Sequence, residues 1–539
     1  MLFYLNDCFL LRGSLKMDIQ TGIRIHKKQE SSPLIKNTKE PKFLLIYAPQ
    51  RFNLRFGAVK PEASLGNLYL AGALRDAGFR VNILDCCLGN EKYSLEQSFY
   101  HQTPLPDGMI RIGMSPEDII HEIANYDVIG ISSIFTPQTY MVEEVVKLIR
   151  KAYPEKLIIL GGINARTQMK RFFDAGADLI CISEAERTIV EIGNVLRKGS
   201  RDFSNISGVA FIHDGRICIN PMSQIEDNLD LLPIPARDLL PLDRIWKIAR
   251  PHGGVLTVGQ LEKPLPYVSA ITSRGCPYVC TFCHISGEQK GANTGYIGKF
   301  RFHSEQRIER EMISIQKLGA EDIYIEDDSL LAKKKRALNI FKMLIKFGFN
   351  LGDVNGINLS HLHKNESGKI VIDEEMLETM AEAGFKRLSF PVESGAQRII
   401  DKWASGKISH ETYDISALIK KANRLGITVS SCYLIGYPDE TYEELAQTIL
   451  VAKKHRDAGS EYVNFTIVTP FPGTALYDYV MQNNLLLPGI EIADLDWLYP
   501  SIKTIIDPYY LEFISRKAWE FLNKPERIAV VRLMLPKQQ

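Results

Sequence analysis

The sequence predicts an α/β protein: a doubly wound, flavodoxin-like (Rossmann-like) parallel sheet, then a partial (β/α)6 barrel, then a small, mostly helical C-terminal region. Three observations predict it. From Phe43 to Ile182, short apolar runs of strand length alternate with segments of helical period, as in parallel sheets with helices on both faces. The alternation resumes at Tyr267 for six units, too few to close an eight-stranded barrel. Between the two lies a Pro-rich stretch without either period. At 539 residues the chain is also long for one domain. The expected boundaries are a mobile polar lead-in (1–41), a first domain (42–200), a hairpin and Pro-rich linker (201–262), a second domain (263–475) and a C-terminal cap (476–539).

Phe43-Leu44-Leu45-Ile46-Tyr47 is a buried-type strand. Leu65, Leu68, Leu70, Ala71 and Leu74 then mark a helix that Gly78 ends. Strands follow at 80–84, 128–132, 157–160 and 179–182, with helices near 117–124, 142–152, 169–175 and 185–196. Such sheets take ligands at the carboxyl ends of their strands. Those ends include Ser132-Ser133, Gly161-Gly162 and Ser183-Glu184. The glycine pair lets backbone approach a ligand closely, and equally serves a tight turn. With no G-x-G-x-x-G and no P-loop, nicotinamide and ATP lack support. Val209–Ile212 and Arg216–Ile219 flank His213-Asp214-Gly215 as a hairpin. In the second domain the strands are placed at 267–271, 322–326, 353–359, 387–392, 428–435 and 462–468, with helices near 305–318, 333–347, 374–383, 411–425 and 442–455.

Just after the first of these strands comes Cys276-Pro277-Tyr278-Val279-Cys280-Thr281-Phe282-Cys283. Three thiolates at this spacing hold three irons of a cubane [4Fe–4S] cluster and leave one iron open to a small molecule. Structural zinc is the alternative; it wants four closed ligands, no second Cys pair follows, and His284 is adjacent to Cys283. The nine cysteines form no dense framework, which points to a reducing cytoplasm. Net charge of +1 gives no electrostatic case for nucleic acid. No run reaches the roughly 20 apolar residues of a membrane span. Met1 to Leu11 lacks the basic region and cleavage site of a signal peptide, and Met17 is an alternative start.

Ser273-Arg274-Gly275-Cys276-Pro277 with the Cys triad resembles the signature of radical S-adenosylmethionine (SAM) enzymes. In that family the open iron chelates SAM, whose reductive cleavage gives a 5′-deoxyadenosyl radical. The first domain resembles the cobalamin-binding domain that precedes many such cores, through Ser64–Ala71, Asp127–Ser132 and Leu160-Gly161-Gly162. The D-x-H-x-x-G run that supplies an axial His is absent, which implies a cobalt without a His ligand from below. Ser183-Glu184-Ala185-Glu186 stands where the family often has Gly-Glu-Gly-Glu.

The resemblance implies further site residues. Glu326 and Asp327, in Glu326-Asp327-Asp328, would lie beside the SAM methionine. Pro391-Val392-Glu393-Ser394-Gly395 resembles G-V-E-S-G and offers Glu393 and Ser394 to SAM. Gly436 to Thr441 resembles G-x-P-G-E-T, a turn and helix start capped by Thr441 or Asp439. Thr469-Pro470-Phe471-Pro472-Gly473-Thr474 would border the adenine, and Phe282 would shield the cluster and line the adenine pocket. Ser132, Ser133, Gly161, Gly162 and Glu184 are the cobalamin candidates, and Cys432 reads as core. The aromatic stretch from Trp497 to Phe521 either caps the barrel over an apolar substrate or is ordinary helix packing.

The function expected from this resemblance is cobalamin-dependent radical methylation of an unactivated carbon or phosphorus of a small-molecule, natural-product or lipid-like substrate, with electrons from a donor such as ferredoxin or flavodoxin. The alternatives are a radical cyclase or ring-rearrangement enzyme, a methylthiotransferase, and a non-catalytic cobalamin sensor.

Overall fold

The computed structural model describes residues 40–52, 64–222, 224–248 and 266–523. The expected lead-in lies outside them except for its last two residues, as does all of the linker after 248.

The first sheet has seven strands, in the order Arg80–Asp85, Lys42–Tyr47, Val128–Ser132, Leu157–Gly161, Leu179–Cys181, Val209–His213, Arg216–Asn220. The first five are parallel and follow the flavodoxin-like order, second, first, third, fourth, fifth. Phe43 to Tyr47 are buried at 5% exposure or less, because helices cover both faces. The 209–220 hairpin, expected in the linker, instead extends this sheet: Val209–Phe211 pairs antiparallel with Leu179–Cys181, burying Val209 and Ala210. Helix Leu65–Asp76 begins on Ser64, whose hydroxyl accepts from the Asn67 amide. A small antiparallel sheet of Gln50–Phe52, Gln102–Pro104 and Ile110–Ile112 carried no sequence signal.

The second sheet has six parallel strands in chain order, Tyr267–Ala270, Asp322–Ile325, Asn350–Asp353, Phe385–Glu393, Thr428–Ile435 and Tyr462–Ile467, and stays open. The third strand lies at 350–353, not 353–359. Asp353 ends it by accepting the Ser389 amide at 2.8 Å, and Gly356 (φ +92°) then turns the chain toward a 3-10 turn, Leu359–Leu362, capped by Asn358. Helix Tyr442–Asp457 starts with Thr441 and Glu444 as a reciprocal capping box, so Thr441 is the cap and Asp439 binds Arg398 and Lys402 instead.

Helix Pro508–Leu522 covers the edge strand of this sheet, burying Leu511, Ala518 and Leu522. The Ser515 hydroxyl donates to the Phe465 carbonyl at 3.0 Å, and Asn523 binds both backbone groups of Val463 at 2.9 Å. The aromatic stretch therefore seals the open side of the barrel rather than its mouth. Tyr509 and Phe521 face outward at 84% and 79% exposure. Trp497 of that stretch packs against Phe471 (5.8 Å) and Phe135 (6.2 Å) of the first domain.

Candidate active site

The Cys loop is held on every side by hydrogen bonds. Asp327 accepts from the Thr272 amide (2.6 Å), the Thr272 hydroxyl (2.6 Å) and the Ser273 hydroxyl (2.5 Å). Asp328 accepts from the Gly275 amide at 2.9 Å, and the Cys276 amide donates to the Gly298 carbonyl at 3.2 Å. Gly275 has φ +81°, and a Cβ there would lie 2.4 Å from the Lys299 carbonyl oxygen, so only glycine fits. Further along, the Thr281 amide and hydroxyl both donate to the Trp403 carbonyl at 2.9 Å.

Burial raises all three thiols, Cys280 to about 12, while the nearby Lys407 ammonium favours the thiolates of Cys276 and Cys280. Lys407 pairs with Glu393 at 2.5 Å. Burial opposes the Lys407 charge, but Glu393 and Cys280 hold its pKa above the usual value. Glu393 sits at φ +67°, a left-handed conformation that a non-glycine residue pays to adopt, and this strain lies beside the loop. The Tyr437 hydroxyl, on a fully buried side chain near Phe282 (6.2 Å between rings), has no partner among the described residues. A buried orphan donor costs about 1–3 kcal/mol, so this site fits a group that brings its own acceptors. Among the described residues no three His, Cys, Asp or Glu side chains converge on a single ion. A cubane distributes its thiolates over separate irons. His284 does not join the triad: its Nε2 lies 3.1 Å from the Pro472 carbonyl, and burial takes its pKa down to about 4.

Of the proposed SAM contacts, Glu393 and Phe282 are placed around the loop, while others are engaged by hydrogen bonds within the protein. Asp327 is spent on Thr272 and Ser273, and Asp328, with its pKa raised to about 6 by burial, is the carboxyl at the Gly275 turn. The Ser394 hydroxyl is within 3.1 Å of that of Thr448 and accepts from the Ala396 amide. The Thr469 hydroxyl is bonded to the Ile467 and Asp496 carbonyls. Pro470 is buried beside it. Glu326 lines a second cavity, described below. Lys407, Tyr437 and Asp328 are the neighbours that sequence reasoning did not assign; Lys407 follows Glu393 without a recognisable spacing.

In the first domain a cavity of about 310 Å³ runs from the strand ends between the sheet and helices 65–76 and 186–197. Ser132, Gly161, Gly162 and Glu184 line it, with Leu45, Ile131, Ile159 and Leu160 as apolar wall. Ser133 does not; it is fully buried, its hydroxyl accepting from Asn164 at 2.8 Å. Among the described residues its walls include no histidine. Cβ atoms on Gly66 and Gly161 would meet nothing in the protein closer than 3.6 and 3.9 Å, so side chains there would occupy the cavity itself. An apolar slot kept open by glycines fits the benzimidazole nucleotide of cobalamin. Gly161→Val tests this, since valine suits a strand. Overfilling costs about 1–3 kcal/mol, so hydroxocobalamin affinity should fall roughly tenfold or more in a spectrophotometric titration, with the thermal midpoint unchanged. Undiminished binding would remove the cavity from consideration.

Comparison with known proteins defines the class. The radical SAM superfamily matches residues 270–452, and the B12 binding domain matches residues 59–193. The chain thus carries a B12 binding domain followed by a radical SAM domain, and is an enzyme whose cofactors are a [4Fe–4S] cluster, SAM and cobalamin.

An uncharacterised methyltransferase of Pyrococcus horikoshii is 29% identical over 72% of this chain and 76% of its own. The cytidylyl-2-hydroxyethylphosphonate methyltransferase of Streptomyces wedmorensis is 26% identical over 84% of each chain. The solved structure of the radical SAM methyltransferase TsrM of Kitasatospora setae, with cobalamin and [4Fe–4S] cluster bound, superposes with a TM-score of 0.59 over 88% of this chain and 81% of that one, at 16% identity. No described helix is long and apolar enough to cross a membrane.

Proposed function

We propose that this enzyme methylates an unactivated carbon or phosphorus of a small-molecule substrate, of natural-product or lipid-like type, in a reducing cytoplasm. The observation that carries the reading is an apolar cavity of about 180 Å³ walled by both domains. Tyr47, Ile134 and Phe135 come from the sheet side, and Val268, Glu326 and Asn355 from the barrel side. A substrate held there lies at the junction of the two domains, beside the cavity of the first, with an apolar body against the aromatic wall and polar groups toward Glu326 and Asn355. The two methyltransferase relatives add to this reading.

When bound, the cluster with SAM supplies a hydrogen-abstracting 5′-deoxyadenosyl radical and methylcobalamin supplies a methyl group. The chain's own part is to hold and shield. Cys276, Cys280 and Cys283 hold three irons, Lys407 and Glu393 set the charge beside them, and Phe282 covers the loop on the adenine side. Electrons come from a low-potential donor such as ferredoxin or flavodoxin.

The test is stoichiometric. An unactivated C–H bond is not deprotonated by any side chain near neutral pH, so one SAM is consumed as 5′-deoxyadenosine. Each methyl transferred must also be replaced from a second SAM. S-adenosylhomocysteine and 5′-deoxyadenosine should therefore appear near one-to-one under reducing, oxygen-free conditions, with label from deuterated methyl-SAM in the product. Full turnover to unlabelled product without S-adenosylhomocysteine would establish a cyclase or rearrangement enzyme instead.

A further inference from the structure

A single residue, Gly275, separates Arg274 in the wall of the cobalamin cavity from the first cluster thiolate, Cys276. Arg274 lines the 310 Å³ cavity of the first domain although it belongs to the second. It forms a two-residue strand, Ser273–Arg274, in which Arg274 pairs directly with Arg301. Two adjacent buried guanidinium groups repel unless compensated. The compensation comes from the other domain, from the turn after strand Leu179–Cys181. Arg274 binds Glu186 at 2.6 Å and Glu184 at 3.2 Å, while Arg301 forks onto both oxygens of Glu184 at 2.9 and 2.6 Å. The Arg274 guanidinium also lies 4.9 Å above the ring of Tyr69, another wall of the cavity. Arginine suits this place because its planar fork holds two carboxylates and an aromatic face at once.

Past Arg274 the backbone has no slack. The Gly275 amide is fixed on Asp328 and the Cys276 amide on Gly298. We propose that Arg274 is a positioning residue that links the two cofactor sites, so that filling the cobalamin cavity and loading the cluster each favour the other. A ligand in the cavity packs against one side of the guanidinium and its carboxylate partners. A cluster on Cys276 fixes the same short strand from the other end. With no slack between the two ends, a shift of Arg274 imposed by either event is passed to the other. Such coupling is reciprocal and typically changes affinity about 5- to 150-fold. The inference rests on the cavity accepting cobalamin.

The experiment is a titration of the full chain with hydroxocobalamin, without oxygen, in cluster-free and cluster-loaded forms. The cluster-loaded chain should bind roughly tenfold more tightly. Arg274→Lys, which keeps the charge but loses the fork, should retain part of that ratio, and Arg274→Ala should bring it to one. Glu186→Gln removes the 2.6 Å partner with almost no change of shape, and should also lower the ratio. It serves where Arg274→Ala fails to fold. A merely structural role would weaken both forms alike and leave the ratio standing. Equal affinities in the two wild-type forms, or a ratio that survives Arg274→Ala or Glu186→Gln, would overturn the link. Absence of binding to either form would overturn the reading of the cavity, and with it the proposed function.

Discussion

Replacing Cys276, Cys280 and Cys283 together by alanine is expected to abolish the visible absorption of the anaerobically reconstituted protein and to take turnover to background. In the apo chain the loop is closed by bonds that do not involve sulfur, from Asp327, Asp328, Gly298 and Trp403. The substitutions therefore leave the loop's backbone in place and remove only the iron ligands. No other cysteine in the described barrel is placed to take over. Cys432 lies within strand Thr428–Ile435, and burial pushes its thiol to about 12. Cys432→Ala is accordingly the matched control and should keep the full spectrum. Without an open iron no SAM is cleaved, so 5′-deoxyadenosine should vanish along with methylated product. Iron and acid-labile sulfide analysis checks the result. Four irons per chain retained in the triple variant would sink the assignment.

Legibility in the sequence follows the range of the interaction. Strands such as Lys42–Tyr47 and Val128–Ser132 and helices such as Met169–Ala175 announce themselves by local period, and their order implies the parallel connections. The Cys triad is legible because its chemistry needs close spacing. Sequence pattern alone carries the third barrel strand on to Leu359, because Val354 to Leu359 continues an apolar alternation, while the features that end the strand are an Asp353 bond to Ser389 and a positive φ at Gly356. Polar residues at strand ends mislead for a related reason. Asp327, Ser394 and Thr469 look free to meet a ligand, but each satisfies nearby backbone or a neighbouring hydroxyl. Three consecutive acidic residues, 326–328, carry no mark of which one turns inward. Lys407 and the Arg274–Glu186 contact were invisible because their partners are set by tertiary packing, the latter across 88 positions of chain. Composition and motif spacing do not report such distances.

Lys407→Met and Glu393→Gln are expected to move the cluster's reduction potential in opposite directions. The pair is nearly sealed, with side-chain exposures of 10% and 7%. Breaking a buried pair by removing one member costs about 3–5 kcal/mol, because the other charge stays behind. The two halves of this pair, however, are not left in equal surroundings. Three thiolates on a cubane core carry net negative charge, and reduction adds one more. Lys407 favours the thiolates of Cys280 and Cys276, so a cluster compensates it even without Glu393. Glu393 has no such substitute: in Lys407→Met its carboxylate faces the thiolates directly. Lys407→Met should therefore be the more damaging change, lowering the cluster's midpoint potential and destabilising the loaded chain by roughly 3–5 kcal/mol in denaturant unfolding. Glu393→Gln removes a negative charge from the same spot and should raise the potential. Its stability loss should be largest in the cluster-free chain and smaller once the cluster is in place. Redox titration followed by electron paramagnetic resonance reads the two shifts. Shifts of the same sign, or none in either variant, would mean that the pair only braces the Glu393 turn and leaves the electrons untouched.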